Sequence, residues 1–83
     1  MRAIDQDVMN RLFEVVDELG LSREAVEVPL LMAGDGNVRS LGPGRGLPQR
    51  FEIELPDTDD LTPFLTDLPQ ALRQAGWSGD REA

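Results

Sequence analysis

Apolar positions recur at helical spacing near the start of the chain. Val8, Leu12, Val15, Val16 and Leu19 stand at offsets 0, 4, 7, 8 and 11, one face of a helix, and Met9 and Phe13 widen the stripe. The spacing predicts a helix over about Asp5 to Leu19. Asp5 or Asp7 can cap its start, where negative charge also suits the helix dipole. Gly20 suits the position after the C-cap, and Leu21 then falls where it can touch Val16. Ser22 to Ala25 reads as a turn, with Ser22 capping one helical turn.

The period then shifts to two. In Val26 to Met32, Val26, Val28, Leu30 and Met32 share one face of a predicted strand, and Glu27, Pro29 and Leu31 share the other. Pro29 donates no ladder bond, so the strand belongs at a sheet edge or carries a bulge. Gly34-Asp35-Gly36-Asn37 is a turn signal, and Val38 to Leu41 is expected to return as the second strand of a hairpin. The run Gly42-Pro43-Gly44-Arg45-Gly46-Leu47-Pro48 reads as an exposed loop. Arg50 to Leu55 alternates cleanly, with Phe51, Ile53 and Leu55 inward and Arg50, Glu52 and Glu54 outward.

Pro56 ends that strand, and Asp57-Thr58-Asp59-Asp60 opens a second helical region running to about Ala75. Leu61, Phe64, Leu65, Leu68 and Leu72 carry its stripe. Pro63 is tolerated in a first turn, whereas Pro69 predicts a kink or two short helices meeting near Asp67. Gly76 terminates the region and sets Trp77 against Leu72. The fold expected is α+β in the order α-β-β-β-α: a three-stranded antiparallel sheet with both helices packed on one face. Residues 1–77 form the single domain, and 78–83 a flexible C-terminal tail.

The same order occurs in double-stranded-RNA-binding domains, a topological resemblance only. Those domains need cations at the start of their last helix to meet phosphates. Here Asp57, Asp59 and Asp60 stand there.

Length and charge narrow the function. Eighty-three residues make one domain, which buries roughly 60–65% of its unfolded surface and leaves little room for an enclosed pocket. The net charge is −8 and unevenly spread. Three Arg and eight acids over 1–35 give −5; three Arg and no acid over 36–50 give +3; two Arg and eight acids over 51–83 give −6. An acidic body with one basic, glycine-rich segment repels phosphate over most of its surface. Basic proteins are the partners that charge favours, and a regular array of carboxylates can act as a nucleic-acid mimic.

The chain has no His, Cys, Lys or Tyr. Those residues supply most general bases, nucleophiles, Schiff-base amines and soft metal ligands, so an enzyme is not expected. Ser22, Ser40 and Ser78 sit in no nucleophile motif. Asp57, Asp59 and Asp60 lack the glycine and bidentate glutamate of a calcium loop, so no metal or cofactor is expected. No apolar run approaches the ~20 residues of a membrane span, and the first residues carry no secretory core. A cytoplasmic, non-enzymatic protein that binds and inhibits a basic protein or nucleic-acid-binding complex is the expectation.

Three sets of residues are candidates for contact. The first is the acidic surface: Asp7, Glu14, Asp17, Glu18, Glu52, Glu54, Asp57, Asp59 and Asp60. The second is Arg39, Arg45 and Arg50 in the loop 36–50, the one place suited to direct anion or nucleic-acid contact, though its glycine spacing matches no phosphate-binding motif. The third is the apolar run Leu30, Leu31 and Met32, a candidate edge for a homodimer or assembly subunit.

Overall fold

A computed structural model describes residues 2–78; the expected tail lies, from Gly79 onward, outside the described residues. The elements in order are β1 (Arg2–Ala3), α1 (Gln6–Glu18), a 3-10 turn (Arg23–Ala25), β2 (Val26–Glu27), β3 (Leu31–Met32), β4 (Asn37–Ser40), β5 (Phe51–Glu54) and α2 (Thr62–Gln74). The fold is α+β, with two helices and two short sheets among the described residues. No helix among the described residues is long and apolar enough to cross a membrane.

Both helices end as the glycine positions predict. Gly20 N–H donates to Asp17 O at 3.0 Å and Leu21 N–H to Val16 O at 3.2 Å. Gly76 N–H donates to Arg73 O at 3.0 Å and Trp77 N–H to Leu72 O at 2.9 Å. Each pair is a Schellman ending. Asp5 caps α1, its Oδ1 accepting from Val8 N–H at 2.9 Å. Helix α2 runs unbroken through Pro69, so the expected division into two helices does not occur. Buried Leu65, Leu68 and Leu72 hold it across the residue that cannot donate.

The sheet differs from expectation. No single three-stranded antiparallel sheet forms. Strand β5 is central in one sheet, paired antiparallel with β4 and parallel with β2, and β1 and β3 form a second antiparallel pair. The expected strand Val26 to Met32 is therefore two strands, broken at Val28-Pro29-Leu30. Proline interrupts the ladder, and the face alternation fails with it: Leu30 is 76% exposed while Val26 and Met32 are buried. The segment rejoins beyond β5, where Ala33 N–H donates to Leu55 O and Asp57 N–H to Gly34 O, both at 3.0 Å. The antiparallel order that resembled double-stranded-RNA-binding domains is thus absent.

The hairpin is also placed differently. Strand β4 returns along β5, not along 26–32. What reads as a loop is the hairpin's end, closed by Gly44 and Leu47, which exchange backbone bonds at 3.0 and 2.8 Å. Arg45 and Gly46 fill the two-residue turn with φ of 54° and 77°. Positive φ at both positions is the twist a two-residue hairpin needs.

One core joins these parts. Phe51 and Ile53 of β5 and the adjoining Leu55 are fully buried and cluster with Leu12 and Val16 of α1 and Leu65, Leu68 and Leu72 of α2. The opposite face of β5 carries Glu52 and Glu54.

Candidate functional site

Ion pairing decides which charges of the surface remain available. Arg2 Nε donates to Asp57 Oδ1 and its Nη1 to Asp59 Oδ1, both at 2.7 Å. Arg23 binds Asp17 with two bonds, 3.2 Å from Nε and 2.7 Å from Nη2, and lies 5.2 Å from the Phe13 ring centre. Arg39 Nε donates to Glu52 Oε1 at 2.8 Å across the β4–β5 pair. Arg50 Nη1 donates to Glu27 Oε2 at 2.9 Å. Among the described residues, four arginines thus pair with five acids. Four of these acids, Asp17, Glu52, Asp57 and Asp59, belong to the predicted acidic surface.

The predicted residues do not form one patch. Asp7 and Glu14 stand exposed on α1, with Asp17 and Glu18 near its end. Glu52 and Glu54 lie half-exposed on the outer face of β5. Asp57, Asp59 and Asp60 occupy the β5–α2 connection. Asp60 Oδ1 accepts from Thr62 N–H at 3.0 Å. That bond from the helix backbone holds the Asp60 carboxyl below its usual range.

The loop arginines are also separated in role. Arg50 lies under the hairpin end, with only 19% of its side chain exposed, and a Cβ on Gly44 would fall 2.9 Å from its Nε. It braces the turn and Glu27. Arg39 is tied to Glu52. Arg45, at the tip, is the one of the three without an ion pair among the described residues. It borders a cleft of about 330 Å³ with Arg23, Glu24 and Glu27, where the two charge signs balance. Of the apolar run, Leu30 and Leu31 are exposed, but Met32 is buried at 3% and is no part of a surface. The backbone of β3 is paired on one side with β1, and just beyond the strand Ala33 N–H donates to Leu55 O on the other.

One place does gather negative charge around an apolar wall. A cleft of about 580 Å³ lies between the Gly34–Asp35 turn, the β5–α2 connection and the first turns of α2. Asp35, Asp57, Asp60 and Asp67 line it with Pro63 and Phe64, and no cationic residue is among the lining. Asp35 and Asp67 carry no ion pair among the described residues. No group of three or more carboxylates there comes together in a way that could hold a metal ion. Spaced carboxylates beside an aromatic ring suit instead a guanidinium or ammonium, which gains both charge pairing and ring contact.

Sequence reasoning named Asp57 and Asp60 but omitted Asp35, Asp67 and Phe64 from the site. The available signal was the spacing of Phe64 and Asp67, three apart and so on one side of α2, just after the acidic run that ends at Asp60.

Acid should loosen this arrangement. Asp17 is lowered by its hydrogen bonds from Arg23, and Asp60 by Thr62. A carboxyl lowered on folding stabilises above its unfolded pKa, roughly 3.9, and that contribution is lost as pH falls through the folded value. A urea midpoint constant from neutral pH to about pH 5 and falling below about pH 4 is expected. A midpoint rising below pH 4 would contradict these pairings. Comparison of the chain with protein-family models, with curated proteins and with solved structures finds no match.

Proposed function

We propose that this chain is a non-enzymatic binding protein whose target is a basic segment of a larger protein or nucleic-acid-binding complex. A cationic side chain of the target enters the Asp35–Asp67 cleft and stacks on Phe64. The observation that carries this reading is the cleft itself: four aspartates and an aromatic ring with no cation among the lining residues. Arg2 pairs with Asp57 at the cleft and with Asp59, and Arg23, Arg39 and Arg50 are used elsewhere, on Asp17, Glu52 and Glu27, so Asp35 and Asp67 keep their charge without an ion pair among the described residues. The excess charge of the rest of the body steers a basic partner toward it. Inhibition follows where the captured segment is one that otherwise grips phosphate.

Direct nucleic-acid contact through residues 36–50 has weaker support, because Arg39 and Arg50 are held in ion pairs and Arg45 stands alone.

The test is fluorescence anisotropy with two labelled probes, an arginine-rich peptide and a single-stranded oligonucleotide, at low and high salt. The peptide should bind, more weakly at high salt, and the Asp35→Asn/Asp67→Asn double variant should lose about tenfold in affinity. The oligonucleotide should not bind. Equal peptide affinity for the double variant would sink the cleft reading. Oligonucleotide binding abolished by Arg45→Ala would replace it with the loop reading.

A further inference from the structure

The β4 strand has one edge that no other strand among the described residues covers. Its register along β5 pairs Asn37 with Glu54 and Arg39 with Glu52, and Leu41 N–H donates to Arg50 O at 2.8 Å. In an antiparallel ladder, alternate residues exchange bonds with the partner. Asn37, Arg39 and Leu41 therefore face β5, and the N–H and C=O groups of Val38 and Ser40 point the other way. No strand among the described residues pairs with them there. Three of the four β4 residues are exposed. Edges of this kind are usually blunted by a free charge, a proline or a bulge. Here the charge, Arg39, is drawn onto Glu52, and Pro43 lies beyond the strand.

We propose that β4 is a docking edge for an extended segment of the partner, which adds as a fourth strand and places a cationic residue in the acidic cleft. The cationic end rests on the functional reading above; the strand pairing does not. Charge argues for it at the Asn37 end of the edge. Upstream of Asn37 the chain runs directly into Gly34 and Asp35, which line the cleft. On the solvated sheet face the row through Asn37 holds Glu54, so a cation at that end of the added strand meets carboxylates first on the sheet and then in the cleft. The opposite face offers half-buried Val38, which suits apolar residues alternating with the polar ones.

A second copy of this chain fits less well. Pairing two β4 strands antiparallel so that Val38 and Ser40 bond to Ser40 and Val38 of the copy sets Arg39 directly opposite Arg39. Like charges so placed repel. It also joins two chains of net charge −8.

The probe is a synthetic peptide of about eight residues, alternating valine and threonine and flanked by arginines at both ends, beside a copy N-methylated at alternate amides. Affinity is measured by titration, and amide exchange is followed at Val38 and Ser40. The unmethylated peptide should bind and protect both amides, and the N-methylated copy should lose about tenfold or more. Ser40→Pro should lose as much while keeping Leu41 protected, since its N–H does not serve β5. Ser40→Ala should bind as the native chain does. An N-methylated copy that binds equally well overturns strand addition, as does a peptide that fails to bind. If Asp35→Asn/Asp67→Asn still weakens binding in that case, the cleft reading survives alone. If the Asp variants bind as the native chain and Ser40→Pro does not, the cationic end is wrong and the pairing stands. Protection of Val38 and Ser40 in the free chain at twice the monomer mass would assign the edge to a second copy and overturn the proposal.

Discussion

Truncating Phe51 to alanine is expected to lower the unfolding free energy by about 3–5 kcal/mol. Phe51 is fully buried at the start of the central strand, in register with Val26 on one side and Ser40 on the other. Its ring sits where the parallel and antiparallel pairings meet, in the cluster that both helices share. Removing it takes apolar area from the core and leaves a cavity that two pinned neighbouring strands cannot close. Stability for a chain of this length is roughly 4–12 kcal/mol, so the loss is a large fraction of the whole. Urea unfolding followed by circular dichroism gives the number, and a variant already unfolded without urea agrees with it. Leu30→Ala is the control, since Leu30 is 76% exposed and its truncation should shift the midpoint little. A Phe51→Ala loss no larger than that of Leu30→Ala would mean the register of β5 is wrong.

What the sequence revealed and what it hid have a common physical basis. Elements longer than two periods announce themselves: α1, β5 and α2 are legible from spacing, and both Schellman endings from a glycine followed by an apolar residue. Two-residue strands have no period, so β1 and the split of 26–32 into β2 and β3 leave no pattern to read. Pro29 marked the place of the break without stating that the strand would part there. Alternation also says which face is buried but not which neighbour runs beside it. The parallel pairing of Val26 with Phe51, and β4 returning along β5, are decided by long-range packing. The site was harder for the same reason. Arg2 meets Asp57 and Asp59 across more than fifty residues, and Asp35 meets Asp67 only through the fold. Counting charges gave an acidic body; only the fold shows that Asp35 and Asp67, which carry no ion pair among the described residues, share one cleft.

Gly36→Ala tests that cleft and the fold together, and should cost about 2–4 kcal/mol, combining left-handed backbone strain with collision. Gly36 has φ of +81°, where a Cβ is already unfavourable. The Cβ would also fall 2.8 Å from Phe64 Cε1, 2.9 Å from Glu54 O and 3.0 Å from Pro56 Cδ. The Glu54 carbonyl belongs to β5 and cannot swing aside, so the Phe64 ring or the turn must move. Gly34→Ala separates the two effects. Its φ is +57°, but an added Cβ there meets nothing within 4 Å, so only the backbone strain of about 1–2 kcal/mol should appear. The difference between the two urea midpoints, at unchanged slope, reports the collision alone. Phe64 walls the cleft, so a folded Gly36→Ala chain should also bind the arginine-rich peptide more weakly than Gly34→Ala does. Equal stability of the two variants would place Phe64 away from the turn and dissolve the cleft. A less stable Gly36→Ala chain with undiminished peptide affinity would keep the fold and remove Phe64 from recognition.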